Sequence, residues 1–531
     1  MELINKKTTI ILLILIIGII LAFPILVIVK ESINLALVDL KLFLNKNISI
    51  YLSTTLQLIL FTSVFSLILA VIPAYILSFY NLKNKKVIDV LLILPLSIPS
   101  YIMAFIYSDI LGYGGFLQNM ININFSNTFN FDVMSIKWLS LFLSLALYPY
   151  VYATSRISFS LIGSTYINLS QSLSASWFTI FRKVVLPLSL SGIFSGLVLV
   201  IMEVLNEYGA VNYFGVKTLS VAIFQYWFSL DNKEFAIFLS FILLTLVFFF
   251  VFISSFFKKS DDKIKYHTKY SENKLADFKS RIGKLCSLFL IYIPFIFGFL
   301  IPLFFISNNV YNNFNNYNFL DLFTLTFNTL KLAIITSIII VTLSFYIINV
   351  KRVMNIRFIN LLIKIITTGY AVPGAVIGLS LMIILRYLGS DFSFLMGTIY
   401  LLIYAYVFRF ISVAIFPLQT SINRQPLEYD ALGRSLGLSS FKLFSLVTFP
   451  LNKLAILSAF TLVTIDIIKE LPVTLILRPF NFETLSTKTF EYASEEMLAY
   501  SSLYSLTLII LCSSMLVFAT LILKRKYVFK G

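Results

Sequence analysis

Histidine and cysteine are nearly absent from this chain, which has one histidine and two cysteines among 531 residues. Cys286 and Cys512 lie in apolar runs without a CxxC spacing, so neither a disulfide framework nor a metal site is predicted. His267 lies in a basic polar stretch, whereas a membrane haem or copper protein needs imidazoles within its helices. The same scarcity disfavours a membrane-embedded enzyme, and no cofactor is expected.

Charged residues are also scarce, at 12% of the chain against about 25% in a soluble protein. Hydrophobic residues make up 59%, and the mean hydropathy is +0.93. Apolar runs of about 20 residues recur along the chain, which is the length of a membrane-spanning helix. Lipid offers the backbone no hydrogen-bond partners, so these runs should be helical. The predicted fold class is an all-α protein that crosses the membrane many times.

The net charge of +17 does not indicate nucleic-acid binding, because the basic residues cluster in short segments between the apolar runs. Such clustering follows from the rule that cytoplasmic loops of membrane proteins are enriched in lysine and arginine. The longest charged segment, residues 258–284, has nine basic and four acidic residues and no helical period. It is expected to be a flexible cytosolic linker near anionic lipid.

About twelve spans are predicted, six on each side of this linker, with both termini in the cytoplasm. Residues 307–327 contain no lysine or arginine, as expected of an external segment. The predicted spans are residues 9–29, 55–79, 87–111, 139–152, 188–205, 235–257, 285–306, 329–350, 359–388, 394–416, 451–477 and 498–523.

The two halves of the chain are similar to each other. One constant difference in residue number places Phe181 on Phe444 and Pro187 on Pro450, among other matches. We call this difference the knob shift, after the two polar segments that are named knobs below. A slightly larger difference, which we call the early shift, aligns the preceding parts of the two halves. The early shift places Thr55 on Thr329 and Pro99 on Pro373.

Ordered matches over both halves predict a gene duplication, with residues 1–257 and 285–531 as two six-helix repeats in parallel orientation. The two shifts differ because the first half has an insertion between residues 112 and 137. A duplicated chain should present two equivalent surfaces on the same side of the membrane.

Each half carries one polar segment between apolar runs, and we call these segments the first knob, residues 165–187, and the second knob, residues 428–450. The second knob has a helix opening, a glycine at position 437, an amphipathic segment and a closing Pro450. Glycine suits a left-handed helix cap, so two short helices joined at Gly437 are predicted.

The second knob resembles the EAA loop of ABC importer permeases, with Glu428, Ala431, Gly437 and Pro450 at the matching positions within residues 420–450. The whole chain resembles the fused permeases of the bacterial iron(III) importer family. The resemblance lies in IMEVLNEYGAVNYFGVKTLS, residues 201–220, and in IDIIKELPVTLILRPFNFETLSTKTFEYASEE, residues 465–496. It implies a type I permease fold in the bacterial inner membrane.

The resemblance also implies two copies of a cytosolic ATPase and an external binding protein as partners. No GxxxxGK[ST] phosphate loop occurs in this chain, which agrees with ATP hydrolysis on a separate subunit. The first knob departs from the family at Thr165 and Ser174, which replace the glutamate and glycine, so unequal docking is expected. The residues predicted to contact the ATPases are Tyr166, Leu173, Ser174, Phe178, Phe181, Pro187, Glu428, Ala431, Gly437, Phe441, Phe444 and Pro450. The alternative is that these residues pack the knobs against their own bundle.

Carboxylates beside membrane runs are costly and usually face a pore or a partner. Glu203 with Glu207, and Asp466 with Glu470, are four residues apart and so are predicted to share a helix face. Oxygen ligands suit ferric ion, so a transient metal contact at Glu207 and Glu470 is one hypothesis. The other hypothesis is a structural role at a gate, through pairing with basic residues or helix ends.

Pro99 and Pro373 occupy equivalent positions and are predicted to kink equivalent spans, with a role in gating or in packing alone. Two alternatives to iron import stay open. A permease for thiamine, phosphonate, sulfate or polyamine would share the knobs, and an ion-coupled secondary transporter would share the repeats and the carboxylates.

Overall fold

The computed structural model describes residues 2–38, 46–116, 118–119, 132–162, 164–264, 277–278, 280–354, 356–423, 425–426 and 428–527. Within these ranges the regular secondary structure is helical, which confirms the predicted fold class. Among the described residues, ten helices are long and apolar enough to cross a membrane, and two bent pairs raise the number to twelve if each pair is one span. Residues 265–276 and 279 of the 258–284 linker lie outside the described residues, and residues 258–264 and 281–284 belong to the two flanking helices.

The helices of the first half are numbered in chain order. They are α1 Glu2–Val38, α2 Lys46–Phe79, α3 Lys85–Ile93, α4 Ser100–Leu111, α5 Ile136–Leu161, α6 Ser164–Ser172, α7 Trp177–Ile180, α8 Leu186–Asn206, α9 Gly209–Tyr213, α10 Leu219–Phe224 and α11 Lys233–Ile264.

The helices of the second half follow the same order. They are α12 Arg281–Phe295, α13 Ile301–Asn312, α14 Phe319–Met354, α15 Arg357–Thr367, α16 Gly374–Leu388, α17 Ile399–Ile422, α18 Glu428–Ser435, α19 Ser440–Leu443, α20 Phe449–Lys469, α21 Pro472–Leu477, α22 Leu485–Ser494 and α23 Leu498–Tyr527.

The boundaries of the helices repeat at the two shifts found in the sequence. The first residues of α5 and α17 are related by the knob shift, and so are those of α8 and α20. Short 3₁₀ turns, Leu94–Ser97 and Thr368–Ala371, follow α3 and α15 and are related by the early shift. The predicted run 451–477 is wrong in its extent, because α20 ends at Lys469 and a separate short helix follows.

Two compact units make up the chain, and the first helix of each half lies in the unit of the other half. One unit contains residues 1–39, 318–488 and 510–531, and the other contains residues 40–317 and 489–509. In the former, Gly18 of α1 lies against Leu362 of α15. In the latter, the Tyr107 hydroxyl donates to the Phe297 carbonyl.

Small residues let the long helices approach closely within a unit. A Cβ on Gly196 of α8 would lie 2.6 Å from Val151 Cα of α5, so only hydrogen fits there. Lipid tails are as apolar as leucine, so association of membrane helices depends on such close packing rather than on expulsion of water. Close packing of this kind holds the long helices against one another, and the knobs and the helix breaks connect these helices.

Candidate functional site

The two knobs have the same backbone in the same register. The first consists of α6, α7 and one π-helical turn, Phe181–Val185, that leads into α8. The second consists of α18, α19 and the π-helical turn Phe444–Thr448, which leads into α20. The knob shift relates these turns, and π turns inside α-helices are rare features that occur often at functional sites.

The turn between the short helices is left-handed in both knobs. Gly437 has φ 74°, as predicted, and Ser174 has φ 56° at the equivalent position. The amide of the following residue then bonds back to the helix, with Ala175 N to Ser170 O at 3.1 Å in the first knob. A left-handed conformation costs an L-residue other than glycine about 1–2 kcal/mol. The first knob therefore holds its shape at an energetic cost that the second avoids.

Phe181 and Phe444 anchor the knobs to their own bundles. The Phe181 ring lies 4.7 Å from the Tyr75 ring of α2, and the Tyr75 hydroxyl donates to the Trp177 carbonyl at 3.3 Å. The Phe444 ring lies 5.4 Å from Phe345 of α14. Both rings are half-buried. These two residues therefore make the contacts expected if they pack the knobs against their own bundle.

The other predicted contact residues lie mostly at the surface. Phe178 is 72% exposed and Leu173 is 82% exposed. The backbone of Phe441 continues α19, and its side chain lies outside the described part of the structure. The exposed set also includes Tyr166, Ser174, Pro187, Glu428, Ala431, Gly437 and Pro450.

Leu169, Leu432 and Leu436 are exposed leucines of the knobs that are not among the predicted contact residues. Leu169 lies on α6, and Leu173 directly follows the helix and donates its amide to the Leu169 carbonyl at 3.2 Å. Leu432 and Leu436 occupy the equivalent positions in the second knob, with the same hydrogen bond at 3.0 Å. Leu436 is 78% exposed and Leu432 is 60% exposed. The sequence carries a signal for them, since the leucine pair repeats at the knob shift. Each knob thus presents a pair of leucines on one face, and we call these four residues the knob leucines.

The second feature of the site is a break between two helices that follows a long span in each repeat and holds a buried carboxylate. Helix α8 ends before Glu207, whose φ and ψ of −67° and 121° are extended. Its Oε1 accepts a hydrogen bond from the Ala210 amide at 3.0 Å, and its carbonyl accepts one from Ser220 Oγ at 2.7 Å. Its Oε2 accepts a hydrogen bond from the hydroxyl of Ser100, at the start of α4. Glu207 thereby caps α9 and joins two breaks of its repeat.

Glu470 has the same place in the second repeat. It follows α20 with φ and ψ of −67° and 127°. Its Oε1 accepts a hydrogen bond from the Val473 amide at 3.1 Å, and its carbonyl accepts one from Ser486 Oγ at 2.9 Å. Its Oε2 lies 3.3 Å from Nε of the buried Arg409 of α17. The carboxylate is buried and sits in an ion pair.

A further pair of hydrogen bonds supports the duplication. The Leu219 amide donates to Thr55 Oγ1 at 3.1 Å, and the Leu485 amide donates to Thr329 Oγ1 at 2.9 Å. Thr55 and Thr329 are the pair that the early shift aligns. The repeat therefore extends to individual hydrogen bonds between a backbone amide and a threonine side chain.

The prediction that each pair of carboxylates shares a helix face is wrong, because Glu207 and Glu470 lie beyond the ends of their helices. Glu203 and Asp466 remain on α8 and α20, both half-buried, and Asp466 pairs with Lys469 at 3.6 Å. The described residues contain no group of three or more His, Cys, Asp and Glu that could hold a metal ion. Carboxylate oxygens of Glu207 and Glu470 are engaged by donors of the protein.

Pro99 and Pro373 lie at the other break of each repeat. The two halves of the span meet at 86° around Pro99 and at 111° around Pro373. Each proline directly precedes the first residue of the next helix, with φ and ψ of −55° and 142° for Pro99 and −59° and 143° for Pro373. The prediction of bent equivalent spans is confirmed, and their role in gating stays a prediction.

Comparison with known proteins identifies the class. The sequence profile described as "Binding-protein-dependent transport system inner membrane component" matches residues 64–260 and 352–527, so the chain belongs to this family of membrane permeases. The two matches fall on the two repeats, and the helical architecture is that of a type I ABC importer permease.

Individual relatives extend this comparison. The chain is 27% identical over 529 residues to the "Fe(3+)-transport system permease protein FbpB 2" of Haemophilus influenzae, with 98% of each chain covered. It is 30% identical to the "Molybdenum transport system permease protein ModB" of the same organism, over 30% of this chain and 68% of the relative. It is 26% identical to the "Sulfate transport system permease protein CysT" of Salmonella typhimurium, over 28% of this chain and 52% of the relative.

The left-handed turn of the first knob yields a testable prediction. Ser174→Gly removes a strained side chain, so the amides of α6 and α7 should exchange with deuterium more slowly, by roughly fivefold for about 1 kcal/mol. Gly437→Ala should accelerate exchange in α18 and α19 by a similar factor. Hydrogen–deuterium exchange of the purified protein, resolved by peptide, measures both.

The control for this experiment is Ser172→Gly, because Ser172 is exposed but lies in the right-handed helix α6. Glycine at a helical position should weaken the first knob rather than strengthen it. Slower exchange in both serine variants, or no change in Ser174→Gly, would show that the left-handed turn is not a source of strain.

Proposed function

We propose that this chain forms the translocation path of an ATP-driven importer for iron(III). The assignment of iron(III) as the substrate rests on how much of each chain the relatives match. The relative named for Fe(3+) transport matches 98% of both chains, whereas the relatives named for molybdenum and sulfate match 30% and 28% of this chain. The Arg478–Pro479–Phe480 segment, which resembles the iron permeases, follows the capping carboxylate of the second repeat.

The knobs are the proposed docking sites for two copies of a cytosolic ATPase. Exposed leucines one helical turn apart, at and just past the end of a short helix, are suited to insertion into an apolar groove. Each knob is fixed to its span by a π turn and an aromatic anchor, so a movement of the knob is passed to α8 or α20. Differential affinity of the ATPases for two arrangements of the spans would couple ATP hydrolysis to transport.

The proposed topology places the knobs and both termini in the cytoplasm of a bacterium, with an external binding protein on the opposite face. The basic turn with Lys83, Lys85 and Lys86 and the basic linker then lie on the cytoplasmic side, as lysine enrichment of cytoplasmic loops requires. The knobs follow α5 and α17, which begin at the external ends of their spans in this arrangement.

The described contacts of Glu207 and Glu470 favour the structural hypothesis over direct ligation of iron. Each capping carboxylate accepts a backbone amide hydrogen bond inside its own repeat and is buried. A ligand to a passing ferric ion would have to give up these donors at each cycle. We therefore propose that the two carboxylates hold the broken helices in register beside the path.

The substrate assignment is tested by uptake in a strain that lacks its own iron permease. Cells that express this chain with its ATPase and binding protein should take up radiolabelled iron(III), and unlabelled molybdate or sulfate should not compete. Uptake of labelled molybdate or sulfate without uptake of iron would refute the iron assignment and leave the permease class in place.

Docking through the knob leucines is tested by Leu173→Glu together with Leu436→Glu. The double variant should lose most of its co-purifying ATPase, because a carboxylate cannot enter an apolar groove without a partner. Its thermal stability should be unchanged, since both leucines are exposed.

The matched control is Leu320→Glu, because Leu320 is 78% exposed like Leu436 but begins a span far from either knob in the chain. This variant should retain the ATPase. Retention of the ATPase by the double knob variant would show that docking uses another surface.

A further inference from the structure

The two repeats balance the same capping carboxylate with different groups. In the first repeat, the hydroxyl of Ser100 donates a hydrogen bond to Glu207 Oε2. The early shift gives Gly374 as the position equivalent to Ser100 in the second repeat. There the Oε2 atom of Glu470 lies 3.3 Å from the guanidinium Nε of Arg409.

Arg409 also replaces a different residue. Helices α5 and α17 begin at Ile136 and Ile399, so their register gives Ala146 as the equivalent of Arg409. Both Ala146 and Arg409 are buried, each with 2% exposure. At these two positions the first repeat has serine and alanine, and the second repeat has glycine and arginine.

Side chains of the second repeat leave little space for a serine at position 374. A Cβ atom built on Gly374 would lie 2.8 Å from Arg409 Nη1 and 3.0 Å from Glu470 Oε1. It would also lie 2.9 Å from Val473 Cγ2, in the short helix that Glu470 caps. A serine at position 374 therefore requires these side chains to move, and the contact with the guanidinium is the shortest of the three.

The choice between the two combinations has a physical consequence. A buried carboxylate without its partner is strongly unfavourable, whereas a buried pair with good geometry is tolerated. The partner of Glu470 is a guanidinium held by α17, so this contact ties α17 and α21 together. The Ser100 hydroxyl instead ties α4 to the end of α8, with no charge supplied by the donor.

We propose that Arg409 and Gly374 are a matched pair of positioning residues for the helix break at Pro373, equivalent to Ala146 and Ser100 in the first repeat. The pair holds the Glu470 cap, and with it α21, against the start of α16 beside the helix break. The two halves of the permease thereby keep the same backbone geometry by an ionic contact in one repeat and a neutral donor in the other. This inference goes beyond the proposed function, and only its transport measurements depend on that function.

The test is reciprocal substitution. Gly374→Ser and Arg409→Ala should each lower the Tm of the purified protein, the first by a clash and the second by leaving Glu470 without its guanidinium. The double variant Gly374→Ser/Arg409→Ala recreates the combination of the first repeat. It should recover more than half of the Tm that the single variants lose, although it carries two substitutions.

The transport readout separates positioning from general stability. With membrane levels of protein matched, each single variant should reduce the maximal rate of iron uptake about tenfold, the factor that corresponds to 1.4 kcal/mol. The concentration of binding protein at half-maximal rate should stay the same, because the external face is not altered. The double variant should recover the maximal rate, and Arg409→Lys should recover part of it relative to Arg409→Ala.

The mirrored control is Ser100→Gly/Ala146→Arg, which should be better tolerated than Ala146→Arg alone. Additive losses in the double variants, or a Gly374→Ser/Arg409→Ala protein that fails to fold, would overturn the inference. Single variants with unchanged Tm and uptake would overturn it as well. If the wild type transports no iron, the Tm comparison still decides the inference, and the proposed substrate alone fails.

Discussion

Backbone amides and carbonyls at a break between buried helices need hydrogen-bond partners, and this constraint shapes the ends of α8 and α20. The solution in this protein is one buried glutamate at each of these two helix ends. Glu207 and Glu470 lie just beyond the ends of α8 and α20, and the side chain of each accepts a hydrogen bond from one backbone amide of the next short helix. A nearby serine hydroxyl then bonds the glutamate's own carbonyl. These hydrogen bonds hold the backbone at the break in one defined conformation.

The knobs are built on the same spans as the capped breaks. Each knob follows one long span and leads through a π turn into the span that ends at the capping carboxylate, so one continuous helix connects the two features. Aromatic rings fix the base of the knob, and exposed leucines lie farther along it. This arrangement suits a part that transmits force, because its base is held by packing and its leucines are open to a partner.

The membrane class, the duplication, both knobs and the bent spans are predictable from the sequence, because each of these leaves a pattern of composition or spacing. The knob shift even relates the left-handed turns at Ser174 and Gly437. The helical spacing of the acids predicts the wrong positions for Glu207 and Glu470, although Gly209 and Pro472, each two residues further on, are signals for the end of a helix. The exchange of the first helices between the compact units also has no local signal, since it depends on packing between distant segments.

The partners of the carboxylates are equally hidden in the sequence. Arg409 is an isolated basic residue in an apolar run, and a single chain does not reveal which acid it meets. A glycine at position 374 indicates a close approach of some neighbour, and the structure shows that the neighbours are a guanidinium and a carboxylate. Steric fit of this kind is a property of three side chains together, and spacing in the sequence does not encode it.

The central proposal is that one chain presents two equivalent knobs on the same side of the membrane, as docking sites for two copies of an ATPase. The most direct measurement is labelling by a membrane-impermeant thiol reagent of single cysteines at Leu173 and Leu436, in a chain whose Cys286 and Cys512 are replaced by serine. Phe480, which is 93% exposed, supplies the external reference position. The account predicts that both knob cysteines react only from the cytoplasmic side and the Phe480→Cys variant only from outside. Reaction of the two knob cysteines from opposite sides would contradict it.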